Sequence, residues 1–200
     1  MEVKTKISIV RSLMSIMLLS FIVTIFSCKS DDDSVDIKNR VIINGKTFEL
    51  VSGFFDSDPD PALSADSPPL SGYQQELLFI GPGLTMNNAT GIVSGSGNAI
   101  VFDPFTTDDT IESGNFELPV PYEEKLGFLL DAFSCEGYDS STEECDVEYE
   151  GDSGTLTVAI SGGVYTITFI GKMTYEDDDE NEVSTDVDLF FEGTLTGVDL

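Results

Sequence analysis

The sequence predicts an all-β fold: a single antiparallel β-barrel or β-sandwich of about eight strands, closing in a C-terminal three-strand meander. Three observations carry this. Apolar residues recur at every second position through the last quarter of the chain, the spacing that lines one face of a strand. Shorter apolar runs in the middle are bounded by Gly or Pro. No stretch beyond the first thirty residues sustains a helical repeat long enough for a packed helix.

The elements follow in order from Arg40. In "VIINGKTFEL", Asn44 and Gly45 sit between two apolar runs, and both residue types tolerate the positive φ of a type I′ turn, so a hairpin is expected. "DSDPDPALSADSPPL" reads as a long Pro and Asp loop, and "PGLTMNNATGIVSGSG" as a second segment rich in turn residues. Between them and after them, "YQQELLFIG", "NAIVFDPF" and "KLGFLLDAFS" supply short strands; the last is also compatible with a helix, but its length and neighbours favour strand.

The meander is the clearest part. Leu156, Val158 and Ile160 alternate with Thr155, Thr157 and Ala159, and Ser161 to Gly163 turn the chain. Tyr165, Ile167, Phe169, Gly171, Met173 and Tyr175 then share one face, and after "EDDDENE" so do Val187, Leu189, Phe191 and Leu195. One face is wet and the other buried. The bulk of Tyr165, Phe169, Met173 and Phe191 favours a packed core over a cavity.

The N-terminus has a separate logic. Lys4, Lys6 and Arg11 precede sixteen uncharged residues, Ser12 to Ser27. A helix needs about 20 apolar residues to cross a bilayer, so this run is short for a span and has the pattern of a secretory signal. Ile25, Phe26, Ser27 and Cys28 resemble the lipobox of bacterial lipoproteins, with Phe26 standing where a small or aliphatic residue is usual. The acidic "KSDDDS" is similar to the tethers of lipoproteins from the Bacteroidota. The resemblance implies that residues 1–27 are a cleaved signal and that Cys28 is lipidated. Residues 28–39 are then an acidic tether whose Asp31, Asp32 and Asp33 direct export, and 40–200 the folded domain. It places the protein at the outer membrane, lipid-anchored and facing the cell exterior, with the membrane as a partner through the anchor. The NGK hairpin, "IESGNF" and the terminal "FEGTLTG" look like the small β-rich lipoproteins of the same bacteria, a group with no common activity to carry over.

Composition excludes several functions. With residues 1–27 removed, six basic and thirty-six acidic residues remain, a net charge of 6 − 36 = −30. That field repels phosphates, so no nucleic-acid partner is expected. Cys135 and Cys145, with nine residues between them, are expected to form a disulfide in an oxidising compartment.

The chain has no histidine. "GDSG", Gly151 to Gly154, copies a serine-protease nucleophile motif but lacks the base that would take the serine proton, so it reads as a turn. Carboxylate pairs are the remaining catalytic currency, and sequence offers no means of choosing one. No cofactor is expected, with calcium the one possible ligand, because hard cations take oxygen donors. Its candidate donors are Asp56, Asp58 and Asp60 in one loop, and Glu176, Asp177, Asp178, Asp179, Glu180 and Glu182 in another. The first group is not an EF-hand, since Pro61 stands where that loop needs Gly and Ser67 where it needs Glu. Asp33-Ser34-Val35 and Asp109-Thr110-Ile111 resemble bacterial O-glycan acceptors, whereas the triplet at Asn88 is a eukaryotic-type sequon.

The expected function is therefore a non-enzymatic lipoprotein that binds an extracellular ligand or an envelope protein. A lipocalin-like carrier of a small apolar ligand and a carboxylate-dependent hydrolase are the alternatives.

Overall fold

The computed structural model describes residues 38–56, 61–63, 71–118, 127–177 and 179–198. Cys28 and Asp31 to Asp33 lie outside them, as do Ser34, Asp58, Asp60 and Asp178. Among the described residues there is no helix. Fourteen strands follow in chain order: β1 (Arg40–Ile43), β2 (Lys46–Glu49), β3 (Ser52–Asp56), β4 (Pro61–Leu63), β5 (Ser71–Gln74), β6 (Leu77–Ile80) and β7 (Leu84–Asn87). The second half holds β8 (Ile92–Thr106), β9 (Gly114–Leu118), β10 (Leu129–Asp139), β11 (Val147–Ser161), β12 (Val164–Glu176), β13 (Glu182–Gly193) and β14 (Leu195–Val198).

The turns form where the backbone can adopt them. Asn44 and Gly45 have φ of 50° and 71° and place Ile43 opposite Lys46, the two-residue hairpin expected from their identities. Gly162 and Gly163, at 60° and 81°, do the same between Ser161 and Val164. The turn after β12 is longer: Asp177 Oδ1 accepts from the backbone N–H groups of Asp179 (3.0 Å) and Asn181 (2.9 Å), which fixes its course.

Ten strands form one mixed sheet in the order β14-β3-β6-β8-β10-β11-β12-β13-β1-β2. Only Thr194 separates β13 from β14, so both ends of the run from β14 to β13 belong to one stretch of chain and the sheet has to curl. No ladder joins β2 to β14 among the described residues, which leaves a half-barrel. The expectation of eight antiparallel strands is corrected twice. Strands as short as β4, β7 and β14, with three or four residues each, show too little alternation to be recognised as separate strands in sequence. Moreover β14 continues the direction of β13 without a hairpin and so meets β3 in parallel, Leu195 opposite Gly53.

The concave face holds the main core. Phe79, Phe102, Leu156, Ile167, Phe169 and Leu189 are all fully buried there, and the Phe79 ring lies 4.9 Å from that of Phe191. A smaller apolar layer lies on the convex side of β6. Leu77 and Phe79 point inward, while Leu78 and Ile80 join Phe54, Leu84 and Val198 outside. This second layer exists because β7 and the start of β8 form a hairpin, Leu84 opposite Gly95, that brings Leu84 and Met86 onto β6. The stretch from Pro82 to Gly97, expected only as turn-rich chain, holds β7 and the start of β8, with turns at Pro82–Gly83 and between the two strands.

"GDSG" is also corrected. Gly151 to Gly154 lie inside β11 at a shift of register between Gly151 and Ser153, and are not a turn. The glycines are there for space. A Cβ on Gly154 would come within 2.6 Å of the Phe169 ring, and one on Gly171 within 2.2 Å of the Ser153 carbonyl. The meander has the expected buried face at Leu156, Val158, Ile167, Phe169, Met173, Val187, Leu189 and Phe191, whereas Ile160, expected on the same face, is exposed next to the turn after β11.

Candidate functional site

Polar chemistry concentrates at the end of the half-barrel where β12 turns into β13. On the inner side, Lys46 from β2 reaches Glu136 of β10, Nζ to Oε1 2.5 Å. The other oxygen, Oε2, accepts the Tyr149 hydroxyl at 3.0 Å. Burial, then Glu136, push the Tyr149 phenol up to about 12, so it is a neutral donor at any ordinary pH. Its ring lies 5.2 Å from that of Tyr175, whose hydroxyl accepts from Asn44 Nδ2 at 3.2 Å. Asn44 N–H also donates to Thr185 Oγ1, so the β1–β2 turn is laced across the end of the core.

The convex side of the same end carries a groove of about 470 Å³, into which Asp146, Glu148, Glu150, Glu176 and Glu182 project, with Tyr175 and Thr174 between them. Glu176 stands opposite Glu182 across the β12–β13 ladder. The near wall is held by the expected disulfide. Cys135 and Cys145 are joined with their Cα atoms 5.5 Å apart, Cys135 is buried, and Asp146 N–H donates to the Glu136 carbonyl at 2.9 Å.

The groove takes up only part of the second set of calcium donors. Glu176 and Glu182 line it, whereas Asp177 is spent on the turn: it accepts from Asp179, from Asn181 N–H and from Asn181 Nδ2, which hold its carboxyl below the usual range. Among the described residues no three Asp, Glu or Cys side chains converge where a metal could sit. Of the first set, Asp56 is described, at the end of β3.

Asp56 belongs instead to a row that the sequence reading missed. Its N–H donates to the Glu76 carbonyl, Glu76 precedes Leu77 which pairs with Phe102, and so Asp56, Glu76 and Asp103 follow one another across the convex face. Asp131 of β10 completes the row. Burial, reinforced by Glu76, holds the Asp103 carboxyl up at about 7, against a lowering bond from Gln74 Nε2 (3.2 Å). Its Oδ1 is buried with no hydrogen-bond partner among the described residues. Burial and Asp56 raise Glu76 as well. The signal was present in "AIVFDPF", where one acid interrupts an apolar strand, but its neighbours come from β3, from β10 and from the residue that leads into β6.

A second recess, about 530 Å³, lies at the opposite end of β13, between Asn39, Val51, Ser52, Thr85, Thr194 and Thr196. Asn88 and Thr110 are both exposed, Asn88 beside this recess. Comparison with protein-family models, curated proteins and solved structures returns no match, so what the sites can do follows from their own geometry and chemistry.

Proposed function

We propose that this chain is a non-enzymatic lipoprotein of the outer membrane, anchored through Cys28 and facing the cell exterior, whose β-domain presents its acidic end to an extracellular ligand or envelope protein. The observation that carries the choice among the three readings is the filled interior. Phe79, Phe102, Leu156, Ile167, Phe169 and Leu189 are fully buried in the core of the concave side, and the recesses described are open grooves at the ends of the sheet. A lipocalin-like carrier needs an enclosed apolar space of several hundred cubic ångströms. Binding here is surface binding, and five carboxylates along one groove suit a cationic group.

The hydrolase reading is favoured by one observation, the adjacent carboxyls of Asp103 and Glu76, both raised. They lie on the convex face, and neither lines the acidic groove or the recess beside Val51. Fatty-acid labelling of cells expressing the wild type and Cys28→Ala, followed by protease treatment of intact cells, tests the leading reading. Label on the wild type alone and digestion without lysis are expected. Label that persists in the variant, or protection until the outer membrane is broken, would overturn anchoring or display respectively.

A further inference from the structure

We infer that the end of the domain around Val51, Ser52 and Thr196, with its recess of uncharged residues, is the face held against the lipid surface, with the acidic groove directed away from it. The inference rests on the reading of Cys28 as a lipid anchor.

Lys38 and Asn39 are fastened beside the C-terminal end of β13. Lys38 Nζ lies 2.5 Å from Glu192 Oε1, Asn39 Nδ2 donates to the Glu192 carbonyl at 3.2 Å, and Glu192 N–H donates to Asn39 Oδ1 at 2.9 Å. The chain that leads back to Cys28 therefore leaves the domain at Glu192. The groove contains Glu182, the first residue of the same strand. At about 3.4 Å per residue the ten steps from Glu182 to Glu192 separate the two ends by about 34 Å.

Ten steps also lie between Cys28 and Lys38. Ten residues set a covalent upper limit of about 35 Å on the distance from Cys28 to Lys38. The Glu192 end therefore stays within that reach of the anchor, whereas placing Glu182 at the level of the anchor would use up all of it.

Charge points the same way. The recess at the Glu192 end is lined by fourteen residues, none of them charged, in a chain whose exported part carries thirty-six acids. Val51 is 48% exposed there, an apolar side chain open to whatever lies beyond. The opposite groove holds five carboxylates, which an anionic headgroup layer repels within about one Debye length, roughly 8 Å at physiological salt. Tether length and repulsion select one orientation.

The test uses the lipidated full-length protein in vesicles of phosphatidylethanolamine and phosphatidylglycerol that carry a headgroup-attached quencher. Single exposed positions receive a fluorophore: Val51→Cys and Thr196→Cys at one end, Asp179→Cys at the β12–β13 turn. Mass spectrometry first establishes acyl chains on Cys28. We expect both probes at the Val51 end to be quenched about threefold more than the probe at position 179, a bias that an anchor without preferred orientation lacks. Equal quenching, or stronger quenching at position 179, in acylated protein overturns the orientation alone. Absence of acyl chains overturns the anchor reading and the orientation with it.

Discussion

Lys46, on the edge strand β2, and Glu136, on β10, meet across the end of the half-barrel with Nζ 2.5 Å from Oε1, although ninety positions separate them. Exposure of the two partners differs, 52% for Lys46 and 19% for Glu136, and so should the cost of losing each. Lys46→Ala removes a half-exposed ion pair, for which about 0.5 kcal/mol is typical. Glu136→Ala also strips the acceptor from Tyr149, which is buried to 1% exposure, and an orphaned buried hydroxyl costs about 1–3 kcal/mol. Urea unfolding should therefore rank Glu136→Ala clearly below Lys46→Ala. Equal losses would mean that the ion pair, not the Tyr149 bond, holds this end.

The disulfide predicts a stability change of a different origin. Closing the loop from Cys135 to Cys145 restricts the unfolded chain, an effect of about 3 kcal/mol in the loop-entropy account. Reduction, or Cys135→Ala with Cys145→Ala, should lower the unfolding midpoint in urea correspondingly. It should also loosen the wall of the acidic groove, seen as faster amide exchange at Asp146, whose N–H bonds to Glu136. Exchange there that is unchanged by reduction would show that the backbone bond alone suffices.

Asp103 gives the domain a pH dependence with a definite sign. Its carboxyl is raised in the folded protein to about 7 from an ordinary 3.8, so the folded state binds the proton more tightly than the unfolded one. The stability it contributes is complete below about 3.8 and is lost as pH rises through about 7. Asp103→Asn fixes the uncharged form. Its midpoint in urea should exceed that of the wild type at pH 8 and converge with it by about pH 4, a window set by the two values. Parallel curves for the two proteins would show that the buried Oδ1 is served by a group outside the described row.

How far the sequence could have led here depends on the range of each interaction. The Asn44-Gly45 hairpin and the inward faces of β11, β12 and β13 were legible because turn chemistry and period-2 alternation are local. The Cys135–Cys145 bridge was legible because it spans ten positions in a chain with few cysteines. The parallel contact of β14 with β3 was not, since Leu195 and Gly53 meet only through the curl of the sheet. The row from Asp56 to Asp131 was hidden for the same reason: each acid looks like a solvated residue until three strands and the residue leading into β6 place them side by side. Asp177 has a local role that composition does not show: its Oδ1 accepts from the backbone N–H groups of Asp179 and Asn181 and so fixes the turn.

The paired glycines of β11 and β12 supply the last test. Gly171 lies against the Ser153 carbonyl and the Phe169 ring, where a Cβ would stand 2.2 and 2.6 Å away, and Gly154 faces the same ring. Gly171→Ala must therefore displace backbone or push Phe169 out of a core in which it is fully buried, and overpacking of this kind costs about 1–3 kcal/mol. Gly114→Ala is the control. On β9 a Cβ would meet only the Phe116 ring at 3.6 Å, an ordinary contact, and the smaller entropy of the unfolded chain should leave stability equal or slightly higher. If Gly171→Ala melts with the wild type, the register shift at Gly151 and Ser153 can absorb a methyl group, and the glycines of "GDSG" are not required by the packing of Phe169.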